Sequence, residues 1–117
     1  MGELTLDQIH RGILKEMRTL EELVTDIQRA GQEAAKADAR YKSAFSEARL
    51  NVRALYGHQK MTVDQTTDIA TAGTDDEYTQ FIITANFLTT CREALRASQS
   101  RLDGWRTLAV SFRNAGG

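Results

Sequence analysis

The stretch LDQIHRGILKEMRTLEELVTDIQRAGQEAAKADARYKSAFSEARLNVRALY, residues 6–56, decides the fold. Leu6, Ile13, Leu20, Ile27, Ala34, Tyr41, Ala48 and Leu55 stand seven apart, and Ile9, Leu23, Ala30, Ala37 and Ala44 fill positions three residues further on. Met17, Val24, Phe45 and Val52 widen the stripe on its other flank. An apolar repeat of seven held this long predicts one long helix that pairs with others in a coiled coil or helical hairpin. Thr5 with Gln8 makes a capping box at its start, and Gly57 is a stop after Tyr56. The span amounts to about 75 Å of helix. Gly12 and Gly31 weaken it, and Gly31 is a candidate kink. The alanines around position 34 leave a thin core, so helices must approach closely there.

Outward from that stretch, the same logic returns near the C-terminus. Phe81, Leu88, Leu95, Leu102 and Ala109 are again seven apart, with Cys91, Trp105 and Phe112 in the companion set and Thr84 and Ser98 as polar interruptions. This predicts a second long helix over about 76–113, capped by Asp75 or Asp76, with 114–117 a frayed tail. Gly104 lies inside it. Between the two, Thr62-Val63-Asp64-Gln65 is another capping box and predicts a short helix over 63–72, followed by a turn at Gly73-Thr74-Asp75-Asp76. The chain has 117 residues and no proline, which fits a single all-α domain. Such extended seams suit self-association, with Leu6, Ile13, Leu20, Ile27, Tyr41, Phe81, Leu88, Leu95, Leu102 and Trp105 as the candidate oligomerisation residues.

Nothing in the residues points to catalysis. The lone cysteine, Cys91, has no His or Cys at ligand spacing, and His10 and His58 lie far apart in sequence. No glycine-rich phosphate loop occurs, and the acidic pairs Glu21-Glu22 and Asp75-Asp76 read as solvated faces and helix N-terminal charges. The expectation is a protein with no enzymatic activity, no metal, no cofactor and no small-molecule substrate. The N-terminus lacks the pattern of a signal peptide and no apolar run reaches membrane-spanning length, so a soluble cytoplasmic protein with no membrane partner is expected.

The net charge of −1 hides a segregation. Residues 36–61 carry six basic and two acidic side chains, residues 62–88 carry five acidic and none basic, and residues 89–117 carry five basic and two acidic. Steps of seven and four bring Lys42, Arg49, Arg53 and Lys60 near one side of the first helix and its end, with Tyr56 beside them. Positive charge with an available ring is what sequence-tolerant binding of single-stranded nucleic acid requires: cations track phosphates and the ring stacks on a base. Arg92, Arg96, Arg106 and Arg113 form a looser basic flank on the last helix, from which Arg92 and Arg96 join the candidate DNA-binding set. The plainer reading is that all these charges flank a coiled-coil seam and pair with a neighbour's acids. Core packing accounts for Tyr41, Phe45, Tyr78, Phe81, Trp105 and Phe112, and sets Tyr56 and Phe87 apart.

The run Phe87-Leu88-Thr89-Thr90-Cys91-Arg92-Glu93-Ala94-Leu95-Arg96-Ala97-Ser98-Gln99-Ser100-Arg101 resembles the corresponding helix of UvsY, the recombination mediator of tailed phages. There, too, a Cys is followed by Ala-Leu and then Ser-Arg. Leu50-Asn51-Val52-Arg53-Ala54-Leu55-Tyr56-Gly57 resembles that family's Leu-Lys-x-Arg segment, which precedes Tyr and Gly. The resemblance covers about residues 36–117. It implies a homo-oligomeric ring that binds single-stranded DNA and loads a RecA-like recombinase onto strands covered by single-strand-binding protein, in the host cytoplasm and without catalysis. Arg53 matches the family's arginine. Asn51 stands where the family has lysine, which removes one charge that Arg49 is placed to replace. The alternative is a protein-only helical interaction module of phage assembly or host interference, with no DNA binding.

Overall fold

The computed structural model describes residues 3–57 and 61–116. Its elements are three helices: α1 (Leu6–Tyr56), α2 (Val63–Gly73) and α3 (Asp75–Ala115). Among the described residues there is no strand. The all-α class, the two long helices and the short one between them are as the heptads predict.

The start of α1 is set by the expected capping box: Thr5 N donates to Gln8 Oε1 at 2.9 Å, and Gln8 N donates to Thr5 Oγ1 at 3.1 Å. α2 opens on the same device, with Thr62 N to Gln65 Oε1 at 3.0 Å and Gln65 N to Thr62 Oγ1 at 3.1 Å. Gly57 follows α1 as a turn residue, and Gly31 does not interrupt the helix. The helix tolerates Gly31 because the propensity loss of about 1 kcal/mol is spread over a cooperative ladder of 51 residues.

Three boundaries differ from expectation. The turn after α2 shrinks from four residues to Thr74 alone. Asp75 and Asp76 are therefore inside the first turn of α3, and the residue before it is Thr74, whose carbonyl accepts from Tyr78 N at 3.0 Å. The Thr74 hydroxyl points back instead, donating to the Ala70 carbonyl at 2.8 Å. α3 also runs on through Asn114 and Ala115. A helix proceeds until its backbone is broken, and neither residue carries a breaker.

The chain forms two compact units, one of Met1–Arg29 with Thr89–Gly117 and one of Ala30–Leu88. In the first, the beginning of α1 runs antiparallel to the end of α3, with Gly12 against Trp105 and Glu16 against Ser98 and Arg101. Ile9, Cys91, Ser98, Leu102 and Ala109 are buried there. In the second, the remainder of α1 lies against α2 and the start of α3, burying Ala30, Ala37, Val52, Thr66, Ala70 and Thr74. Ala30 and Ala37, from the alanine-rich stretch, are both buried there. Tyr41 is the aromatic centre of this unit, edge-on to Tyr78 at 5.3 Å, stacked with Phe81 at 5.7 Å and tilted to Phe45 at 6.1 Å. Each such pair adds about 0.5–1.5 kcal/mol beyond area burial.

Two heptad positions fail: Phe112 of the companion set is 41% exposed, and Leu55 is 69% exposed while Val52 is buried. An α-helix drifts by about 20° per heptad against a strict seven-residue repeat, so near the end of a 51-residue helix the covered stripe has moved to the flank that Val52 occupies.

Candidate nucleic-acid interface and the polar lock

The last two turns of α1 and the start of α2 bring Arg49, Arg53 and Tyr56 together with Gly57, Met61, Val63 and Thr66 around one open groove of about 230 Å³. Spacings of four and three put the two arginines and the tyrosine on one helical face. The capping box at Thr62 fixes the first turn of α2, whose Val63 and Thr66 form the opposite wall. Arg49 is half-buried, and its Nε has no hydrogen-bond partner among the described residues. A donor left in that state carries a desolvation cost that an anionic acceptor would relieve. Arg53 and Tyr56 are exposed. Neither arginine forms an ion pair with the described residues.

The other predicted DNA-binding residues divide. Lys42 is exposed two helical turns before Arg49, where its Nζ meets Asp38 Oδ2 at 3.0 Å. Such an exposed (i, i+4) pair is weak and exchangeable, worth about 0.3–0.5 kcal/mol. Lys60 and His58 lie outside the described residues. Arg92 and Arg96 are exposed on the part of α3 that belongs to the other unit, without an ion pair to the described residues. Asn51 is exposed as well. Met61, Val63 and Thr66 are groove residues that the charge pattern could not nominate, because they carry no charge and come from α2 or the segment just before it.

The residues singled out for oligomerisation are mostly covered only in part within the subunit. Leu6, Ile13, Leu20, Ile27, Tyr41, Phe81, Leu88, Leu95 and Trp105 are half-buried and Leu102 is buried. Trp105 lies flat on Gly12: a Cβ there would stand 2.5 Å from its Cε2 and 2.6 Å from its Cζ2. The glycine that the sequence marked as a weak point is thus the seat of the single tryptophan.

The heptad series of the first helix steps from Ile9 to Leu23 and passes over Glu16, while that of the last helix is interrupted at Ser98. The two interruptions meet. Ser98 Oγ, fully buried, donates to Glu16 Oε2 at 2.8 Å, and Arg101 Nε donates to Glu16 Oε1 at 2.6 Å. The Arg101 hydrogen bond, then that of Ser98, holds the Glu16 carboxyl below the usual glutamate range against a smaller desolvation effect. A polar pair at equivalent seam positions fixes register, since any slip leaves a carboxylate facing apolar side chains.

Among the described residues, no group of three or more His, Cys, Asp or Glu is arranged to hold a metal ion, and no helix is long and apolar enough to cross a membrane. Compared with known proteins, the chain matches no family model, no curated protein and no solved structure.

Proposed function

We propose that this protein is a non-catalytic recombination mediator of the UvsY type. In this reading a homo-oligomer binds single-stranded DNA without sequence preference and assists the loading of a RecA-like recombinase or annealing protein. The observation that carries this is the groove joining Arg49, Arg53 and Tyr56, with two guanidinium groups that form no ion pair among the described residues and an exposed ring on one face. Phosphates displace counterions to meet the arginines, and a base stacks on Tyr56. Repetition of the groove around an oligomer multiplies a modest site through avidity. A strand held this way is loosened from single-strand-binding protein and offered to the recombinase.

The test is a fluorescence-anisotropy titration of a labelled single strand between about 50 and about 200 mM salt. Affinity is expected to fall steeply. Arg53→Ala should weaken binding and flatten the salt slope by about 0.7, the value of one single-strand phosphate contact, without changing the oligomer's mass. Absent or salt-independent binding would defeat the proposal.

A protein-only interaction module is the second reading. It is favoured by Tyr78, Ile82, Ile83 and Phe87, which are all exposed on a part of α3 that carries no charged residue from Tyr78 to Cys91. Nuclease-resistant capture of one protein from lysate, together with no DNA affinity, would favour that reading over the first.

A further inference from the structure

The two units differ in how their apolar surface is covered. In Ala30–Leu88, α2 lies on the long helices as a third element and buries Thr66 and Ala70. In the other unit only the ends of α1 and α3 pair, and they leave an open groove of about 540 Å³. Leu6 and Ile13 of α1 and Ala109 and Val110 of α3 give it an apolar floor, and Arg106 and Arg113 line it as cations. Neither arginine has an ion-pair partner among the described residues.

The complementary surface is on the same chain. Residues 62–88 carry five acidic side chains and no basic one. Asp64, Asp68, Asp75 and Asp76 are exposed and likewise form no ion pair with the described residues. Beside Asp68, the outer side of α2 presents Ile69, 42% exposed, and Ala72. The groove extends along eight residues of α1, from Leu6 to Ile13, roughly 10 Å, which matches two turns of a short helix such as α2.

We infer that the groove between the two helix ends of one copy receives the acidic outer face of α2 from a second copy, with Ile69 on the apolar floor and Asp64 and Asp68 facing Arg106 and Arg113. This rests on the reading of the protein as a homo-oligomer and names the surface that builds it. The two surfaces are different, so the contact is heterologous: each copy offers one of each, and copies add head to tail into a ring or a filament. Charge segregation then has a purpose that the near-zero total conceals, since unlike surfaces attract and like surfaces repel. The heptad residues Leu6, Ile13 and Ala109, which line the groove, form part of this interface.

Two exposed double variants test it. One carries Arg106→Glu with Arg113→Glu, and the other carries Asp64→Lys with Asp68→Lys. Helix content by circular dichroism and single-strand affinity by anisotropy are measured beside the mass from light scattering. The wild type should exceed a dimer and each variant should be monomeric. An equimolar mixture of the two should assemble with alternating copies, because each variant's groove meets an α2 face of opposite charge on the other. A chain carrying all four substitutions should assemble again through reversed charges. Variants that assemble like the wild type, or a mixture that stays monomeric, overturn the interface while leaving the DNA-binding reading intact. A wild type that is monomeric overturns the interface too. If it also lacks single-strand affinity, the functional reading falls with it.

Discussion

Replacing Gly12 with alanine isolates the packing of Trp105 from helix propensity. Three glycines lie inside the long helices. At Gly31 and Gly104 an added Cβ meets nothing within 4 Å, whereas at Gly12 it lies 2.5–2.7 Å from three indole carbons. Glycine costs a helix interior about 1 kcal/mol against alanine, so Gly31→Ala and Gly104→Ala should each stabilise by about that amount. Gly12→Ala gains the same propensity, but the methyl group must displace a rigid ring held between helices. Overpacking of that kind costs about 1–3 kcal/mol. The net expectation is a loss of up to about 2 kcal/mol, and a gap of about 1–3 kcal/mol between position 12 and the other two. Urea unfolding followed at 222 nm, at one fixed protein concentration, measures all three. In a Trp105→Leu background the clash is relieved, so Gly12→Ala should become neutral or stabilising. A Gly12→Ala protein as stable as Gly104→Ala would refute the claim that the indole occupies that space.

Two further perturbations address the polar lock and the short helix. The lowered Glu16 carboxyl contributes stability that is fully present above the ordinary glutamate value of about 4.3 and is lost as pH falls toward its lower folded value. Wild type should therefore lose stability relative to Glu16→Gln as pH drops below about 4.3, and parallel unfolding curves from neutral pH to that range would count against the lock. Thr62→Ala removes the hydroxyl that accepts from Gln65 N and should cost about 1 kcal/mol, with amide exchange rising first in α2; unchanged exchange there would show that the cap does not hold the helix.

Several features were legible without coordinates because they are local or periodic. Seven-residue spacing marks which face of a long helix is apolar, and the capping boxes at Thr5 and Thr62 are contacts between residues three apart. The arginine–tyrosine face of α1 follows from helical geometry alone, although the wall that α2 adds to it does not. Glu16 and Ser98 each look like a fault in a heptad, and their joint meaning needs a pairing across 82 positions.

By itself the sequence determined that the chain is helical, where its first long helix and its short helix start and how its charges are segregated, since propensity, capping and periodicity act over a few residues. Tertiary structure alone decided that Glu16 meets Ser98 and Arg101 across the two long helices and that Gly12 seats Trp105. It also decided that Val52 rather than Leu55 is covered near the end of α1. These outcomes depend on which surfaces meet across long separations in the chain, and a repeat of seven specifies a face without specifying its partner.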